Sequence, residues 1–214
     1  MEQIQTAKLY KINSFEFLRN EDIIRLTTDP AYDQTAFEAL LEIKGDSDHS
    51  KLIEMLEVLN DETSSMEDEL FATYFDKENI AYWMAFQLLT GNTDTQNRNV
   101  YLYSPQNSSK WYLWDWDNDG MLRRREREII KFSDSESWER GVSNYWGNVL
   151  FRRCLQTQSY RDMLDAAMKE LYAYMNKTRI QSMLEHYRGV TETYVWQMPD
   201  GCMYPSRTPN TKRF

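Results

Sequence analysis

Apolar residues recur at helical spacing along most of the chain, while Gly and Pro, which most often interrupt helices, number only 7 and 5. Spacings of three and four residues place apolar side chains on one face of a helix. They predict short helices over 21–26 and 36–43, the second ended by Gly45. The pattern therefore favours a mainly helical fold.

Polar residues at the expected helix starts place two further helices. The segment 46–48, Asp-Ser-Asp, offers N-cap candidates for a helix through Leu59. Ser64 or Ser65 offers the same for a helix through Phe71, because short polar side chains accept hydrogen bonds from the first free N–H groups of a helix.

The strongest helical signal begins at Asp76, and Gly91 sits where a left-handed residue would end that helix. Its buried face is predicted to carry Ile80, Trp83, Met84, Gln87 and Leu88. Helical patterns return over 149–155 and 160–175. The tail from Pro199 is expected to be extended.

The pattern changes after Asn99, where two apolar and aromatic runs flank a polar turn. Residues 100–103 and 111–114 predict two strands, and residues 104–108, which include a proline, predict the turn between them. Apolar and polar residues alternate only in part over residues 10–17. This pattern predicts either a short strand or an extended segment that leads into the fold. The predicted fold class is mainly α with a small β-hairpin.

Composition and charge narrow the class of protein. Hydrophobic residues make up 41% of the chain and aromatic residues 14%, which is typical of a globular protein. The net charge of −9 disfavours a nucleic-acid or anionic-membrane partner. No apolar run approaches the roughly 18 residues of a membrane span, and the first residues lack the features of a signal peptide. Cys154 and Cys202 are expected to be unpaired thiols.

The candidate chemistry lies in the polar stretch between Gly91 and Asp119. Asp94 and Asn99 are five positions apart in the loop after the helix, and Asp115 follows the second strand of the hairpin. Phosphoryl transfer uses one carboxylate to orient the attacking hydroxyl, and an amide oxygen and a second carboxylate to hold Mg²⁺ on the phosphates. This order of residue types predicts a phosphotransferase site. If the hairpin and Asp115 did not follow, Asp94 and Asn99 would be explained as loop residues whose side chains bond free backbone groups at the end of the helix.

Two stretches of the chain resemble the CotH kinase family, named for spore-coat protein H. In YFDKENIAYWMAFQLLTGNTDTQNRNVYLY a helix ends in G-N-x-D, and an Asn follows five residues after that Asp. A tyrosine-rich strand comes next, and WYLWDWD supplies a W-D-x-[DE] strand end. The upstream segment LEIKGDSDHSKLIEMLEVLND is also similar. The resemblance covers roughly residues 37–120 well and the later helices only loosely.

This resemblance implies an atypical protein-kinase-like fold that phosphorylates Ser or Thr of a protein substrate, using ATP with Mg²⁺ or Mn²⁺. By position in the motifs, Asp94 matches the catalytic Asp, and Asn99 and Asp115 match the metal-binding residues. Asp117 and Asn92 are additional candidate site residues. Asn92 would act by shaping the loop. A spore-coat, extracellular or cell-surface location is compatible with the resemblance.

The family also has a small N-terminal lobe with a lysine that contacts the nucleotide phosphates. Only 93 residues precede Asp94, and most of them have a helical pattern. We therefore expect residues 1–214 to form one kinase-like domain, mostly the large helical lobe, with the small lobe largely absent. Lys8 lies just before the strand-like stretch and Lys11 lies within it, but nothing marks either as the phosphate lysine.

Two alternative functions stay open. Residues 115–126 satisfy D-x-[DN]-x-[DN]-G-x₅-E, the pattern of a Ca²⁺-binding EF-hand loop, although a predicted strand precedes them rather than a helix. The other alternative is a non-catalytic binding or adhesion module that keeps the kinase-like scaffold.

Other conspicuous residues have ordinary structural explanations. Four tryptophans are expected in the core: Trp83, Trp111, Trp114 and Trp116. The run 122–128, LRRRERE, is expected to be a solvated helical face, with binding of an acidic or phosphorylated group as the alternative. His49 and His186 are expected to be surface or structural residues rather than metal ligands.

Overall fold

The structure is a computed structural model, and it describes residues 7–92, 94–121, 142, 144–195 and 197. The chain forms two compact units, Met1–Leu171 and Tyr172–Phe214. Four features of the sequence lie outside the described residues: the run 122–128, Glu126 of the calcium-loop pattern, Cys202, and the tail from Pro199.

The first unit contains a four-stranded antiparallel sheet. Its strands are β1 (Lys8–Ile12), β2 (Leu41–Ile43), β3 (Val100–Ser104) and β4 (Tyr112–Asp115), in the order β2-β1-β3-β4. The predicted hairpin is β3–β4 and is confirmed. The stretch predicted over 10–17 overlaps β1 only at residues 10–12, because the strand begins two residues earlier and ends at Ile12. Strand β1 joins the hairpin to β2. The sheet is therefore twice as large as the hairpin alone.

Helices make up most of the rest, which confirms the mainly α class with a small sheet. They are α1 (Gln34–Leu40), α2 (Ser50–Asn60), a π-helical segment (Met66–Tyr74), α3 (Lys77–Thr90), α4 (Val149–Gln156) and α5 (Gln158–Tyr174). Asp76 caps α3 by accepting a hydrogen bond from Asn79 N at 2.8 Å, and Gly91 ends it with a left-handed φ of 63°. Both helix-end predictions are confirmed. The Asn79 side chain also bonds the backbone N and O of Leu113, which ties α3 to β4.

Two of the predicted helices differ from the structure. The helix predicted over 36–43 ends at Leu40, because the next three residues pair with β1, where Ile43 lies opposite Tyr10. The helix predicted over 21–26 is wrong, since that segment forms turns. Pairing with a neighbouring strand, or a tertiary contact, outweighs the weak local preference of a short apolar pattern.

His49 occupies the N-cap position of α2 and is fully buried. Its Nδ1 lies 2.9 Å from the Tyr10 hydroxyl, and its Nε2 lies 3.2 Å from the Tyr32 hydroxyl. The imidazole stacks on the Phe37 ring with centroids 4.0 Å apart. Burial lowers the pKa of His49 to about 4, so the ring is neutral at pH 7. The predicted structural role fits this environment.

The four tryptophans divide between the core and the outer face of the sheet. Trp83 and Trp111 are buried as predicted, but Trp114 is 49% and Trp116 is 45% exposed, so placing those two in the core was wrong. Successive strand residues point to opposite faces, and Leu113 faces the core. The outer aromatic face comprises Tyr101, Tyr103, Trp114 and Trp116, with Trp114 stacked on Tyr103 at 4.5 Å and Trp116 against Tyr101 at 5.2 Å.

The second unit contains α6 (Lys177–Val195). Asn176 precedes this helix, and its side-chain oxygen accepts a hydrogen bond from Arg179 N at 3.0 Å. The Arg179 guanidinium lies 4.0 Å from the centroid of the Tyr174 ring. Among the residues that the structure describes, none of the helices combines the length and apolarity that a membrane crossing requires.

Candidate functional site

The loop after α3 is shaped by a buried asparagine. Asn92 follows the left-handed Gly91 and is only 3% exposed. Its side-chain oxygen accepts a hydrogen bond from Asp94 N at 3.3 Å, and its Nδ2 donates to Asn118 Oδ1 at 3.3 Å. This side chain therefore connects the loop to the segment that follows β4, in keeping with the predicted loop-shaping role.

The two residues predicted from the loop spacing are in direct contact. Asn99 Nδ2 donates a hydrogen bond to Asp94 Oδ2 at 3.1 Å, and Arg98 Nε lies 3.8 Å from Asp94 Oδ1. Asn99 adopts a left-handed φ of 56°, a conformation that Asn tolerates better than most residues. Its backbone N–H bonds Ile12 O at 3.2 Å, which fixes this end of the loop against β1.

Asp115 is brought to the same place by the hairpin. It is the last residue of β4 and lies opposite Val100, the first residue of β3. Residues opposite each other in an antiparallel pair have Cα atoms about 4.5–5.5 Å apart. Asn99 immediately precedes Val100, so the hairpin register places Asp115 beside the end of the loop.

The Asp115 carboxylate is held from the core side. Gln87 of α3 is fully buried, and its Nε2 donates a hydrogen bond to Asp115 Oδ1 at 2.5 Å. Asp115 as a whole residue is exposed, yet packing around its carboxylate removes enough water to raise its pKa. The Gln87 hydrogen bond and the nearby indole N–H of Trp83 act in the opposite direction.

Asp117 and Gly120 belong to the segment that follows β4. Asp117 has a left-handed φ of 55° and precedes a single 3₁₀ turn, Asn118–Gly120. A Cβ added to Gly120 would lie 2.8 Å from Asn92 Oδ1 and 3.6 Å from Asp94 Cβ. Only glycine permits this close approach without displacement of a neighbour. The segment thus returns to the loop that carries Asp94.

The donor set fits a hard divalent cation. The carboxylate of Asp115 and the amide oxygen of Asn99 are the kinds of oxygen ligand that Mg²⁺ and Mn²⁺ prefer, and the Asp94 carboxylate beside Asn99 adds negative charge. The Asn99–Asp94 bond uses the amide nitrogen and leaves Asn99 Oδ1 outside it. Within the described ranges, no group of three or more His, Cys, Asp or Glu side chains is arranged to hold a metal. A cation here would need oxygens from Asn, phosphate or water as well.

The lysines of β1 have other partners. Lys8 is buried, and its Nζ pairs with Asp46 at 3.0 Å and Asp48 at 3.3 Å. Lys11 Nζ lies 5.9 Å from the centroid of the Trp116 ring, on the outer aromatic face. Neither contact marks a phosphate-binding lysine.

The surroundings of Asp115 differ from those of an EF-hand loop. The residues before it form strand β4, whereas an EF-hand loop follows a helix. The predicted strand is therefore confirmed, and it is the observation that counts against the calcium interpretation.

Sequence reasoning missed two residues that shape the site, Gln87 and Gly120. Gln87 had a usable signal, because it is a polar residue within the apolar face of α3. The sequence marks Gly120 only as part of the calcium-loop pattern. Its contact with Asn92 joins positions 28 residues apart, and no local pattern reveals such a contact.

Comparison with known proteins agrees with the motifs. No similar sequence is found among the curated proteins. A family model described as CotH kinase protein matches residues 2–212, nearly the whole chain. The chain therefore belongs to the CotH kinase family.

Proposed function

We propose that this chain is a metal-dependent, kinase-like phosphotransferase that transfers phosphate from ATP to Ser or Thr of a protein substrate. Membership of the CotH kinase family supports a kinase-like function. The observation that carries the proposal is the convergence of a loop Asp, a loop Asn and a strand-end Asp. Asn99 bonds Asp94, and the hairpin register places Asp115 beside Asn99.

The order of elements supports a large-lobe assignment for residues 1–214. Helix α3 ends at Gly91, the polar loop follows, and the β3–β4 hairpin leads to Asp115. Protein kinases place a base Asp and a metal-binding Asn in a loop, and a second metal-binding Asp after it. We assign Asp94, Asn99 and Asp115 to these three positions.

In this reaction Asp94 orients the acceptor hydroxyl. The side chain of Asp94 is 56% exposed, so a hydroxyl on another protein can reach it. The hydroxyl oxygen forms a bond to the γ-phosphorus as the bond to the β,γ-bridging oxygen breaks, and ADP leaves. The hydroxyl proton passes to the Asp94 carboxylate and then to solvent.

Asn99 and Asp115 are the proposed metal ligands, with Asp117 as an additional candidate. A bound Mg²⁺ or Mn²⁺ would neutralise charge on the ATP phosphates. Asn92 has the supporting role of fixing the loop, through its bonds to Asp94 N and Asn118.

The test is a thermal-unfolding series with Mn²⁺ plus ATP, Mn²⁺ alone and Ca²⁺ alone. A ligand that binds only the folded state stabilises it by about 2.7 kcal/mol at 100 times its Kd. We expect Mn²⁺-ATP to raise the Tm of the unaltered protein and of Asp22→Asn, whose carboxylate is almost fully exposed and distant in sequence. Asp115→Asn should abolish the rise. Stabilisation by Ca²⁺ alone would instead support the calcium-loop alternative and overturn the kinase proposal.

A second candidate function is a non-catalytic binding module on the same scaffold. The ion pairs of Lys8 with Asp46 and Asp48 favour this function. Because its Nζ is already paired with two carboxylates, this buried strand lysine is less able to bind ATP phosphates. The same series separates the two functions. A folded protein whose Tm responds to none of the three additions would support the binding module.

A further inference from the structure

Gln87 has an unusual environment for a polar side chain. It is fully buried in α3, on the face that also carries Ile80, Trp83 and Met84. Its Nε2 donates to Asp115 Oδ1, but among the residues that the structure describes its Oε1 has no hydrogen-bond partner. Buried polar atoms without partners are costly, so an apolar residue of similar size would serve the core better.

A second buried N–H group lies near the same carboxylate. Trp83 is one turn before Gln87 on α3, and its indole N–H favours the charged form of Asp115, as the Gln87 amide does. Among the described residues, Gln87 Oε1 is one of four buried side-chain atoms without a hydrogen-bond partner. The residue that bonds Asp115 therefore carries a buried oxygen without a partner. Local departures from good packing rules of this kind concentrate at functional sites.

The hydrogen bond has a clear geometric effect. It holds Oδ1 of Asp115 against the core and leaves Oδ2 as the oxygen outside that bond. Gln87 is fixed in turn, because α3 is tied to β4 through Asn79 and Leu113. The carboxylate thus has one preferred orientation at the end of its strand.

We propose that Gln87 is a positioning residue that orients the Asp115 carboxylate for a divalent cation. This inference rests on the proposed role of Asp115 as a metal ligand. Carboxylate ligands are commonly fixed by hydrogen bonds from residues behind them, and loss of such a partner typically weakens metal binding 10–100-fold.

The test replaces Gln87 by Met, which has similar length and no amide, and measures Mn²⁺ affinity by electron paramagnetic resonance of the free ion. We expect Mn²⁺ binding to weaken about 10–100-fold, while the Tm stays unchanged or rises because an unpaired buried oxygen is removed. The control is Ile80→Val in the same helix, a buried change that should leave Mn²⁺ affinity unaltered. A merely structural role for Gln87 would lower the Tm and leave the Mn²⁺ affinity of the folded protein intact.

A second variant, Gln87→Asn, guards against misfolding of the first. It keeps an amide but is one methylene shorter, so it cannot maintain the 2.5 Å contact with Asp115, and the same weakening is expected. If Asp115→Asn loses Mn²⁺ binding but both Gln87 variants keep it, the positioning role is wrong and the proposed function stands. If the unaltered protein does not bind Mn²⁺ with or without ATP, the proposed function fails, and the positioning role fails with it.

Discussion

Val100 lies directly opposite Asp115 in the antiparallel pair of β3 and β4. This register decides which residues meet at the site, because Asn99 comes immediately before Val100 and Asp94 bonds Asn99. A slip of one residue would turn Asp115 to the outer aromatic face and bring Trp114 or Trp116 to its place. The site therefore depends on the pairing of two short strands as much as on its acidic residues.

Replacement of Asp94 or Asp115 by Asn should remove phosphate transfer with little change in fold. A general base contributes about 10²–10⁴-fold to a rate, so we expect at least a 100-fold loss for Asp94→Asn. The measurement is transfer of labelled phosphate to protein, alongside the Tm. Phosphate transfer retained by Asp115→Asn would contradict the role of Asp115 as a metal ligand. A large drop in the Tm of either variant would mark the replaced residue as structural.

Gly120→Ala should disturb the site through Asn92. The new Cβ would lie 2.8 Å from Asn92 Oδ1, so that side chain must move and its bond to Asp94 N is lost. We expect a stability cost of about 1 kcal/mol and a several-fold weaker response to Mn²⁺-ATP in the thermal-unfolding series.

Gly147→Ala is the matched control for that change. A Cβ at Gly147 meets nothing within 4 Å, so both Tm and the Mn²⁺-ATP response should be preserved. Equal behaviour of the two alanine variants would contradict the role given to the Gly120–Asn92 contact.

The buried His49 should make the fold sensitive to moderate acid. Its pKa is about 6.5 in the unfolded chain and about 4 in the folded one, because burial disfavours the charged ring. Below pH 6.5 the unfolded state binds a proton that the folded state does not. The free energy of unfolding should therefore fall by about 3 kcal/mol between pH 6.5 and 4, as measured by urea unfolding.

His49→Gln should flatten this pH dependence, because an amide can still bond the Tyr10 and Tyr32 hydroxyls but does not titrate. The charged groups nearby act in another pH range. The pKa of Asp46 is lowered, chiefly by the N–H of Asp48, so that carboxylate stays ionised over the range in which His49 titrates. An unchanged slope in His49→Gln between pH 6.5 and 4.5 would exclude His49 as the cause.

Lys8→Met should lower stability without changing nucleotide binding. The substitution leaves Asp46 and Asp48 without the cation that pairs with both, so we expect a loss of about 1–3 kcal/mol in the free energy of unfolding. The Mn²⁺-ATP concentration that gives half of the Tm rise should stay the same. A large increase in that concentration would identify Lys8 as a phosphate ligand after all.

The sequence predicts well whatever depends on neighbouring residues. Asp76 and Gly91 mark the ends of α3 because caps act locally, and the hairpin follows from two apolar runs around a Pro-containing turn. The spacing of Asp94 and Asn99 likewise anticipates two side chains that meet in one loop.

Long-range contacts account for what the sequence does not reveal. Strand β2 interrupts a helical pattern because β1, some 30 residues earlier, offers it a hydrogen-bonding edge. Trp114 and Trp116 are about half exposed because they lie on the outer aromatic face of the sheet, and hydrophobicity alone does not indicate which face a strand residue occupies. The hydrogen bond between Gln87 and Asp115 joins two elements 28 residues apart, so a local sequence pattern cannot predict it.

The outer aromatic face gives this protein a built-in optical reporter. Trp116 stands between Asp115 and Asp117 in the chain and is 45% exposed, whereas Trp83 and Trp111 are shielded. Indole emission responds to water and to nearby charge, and soluble quenchers reach exposed rings far more readily than buried ones. We therefore expect binding of the proposed ligand at Asp115 to change the quenching of Trp116, over a background from Trp114 and Trp146, which are also about half exposed.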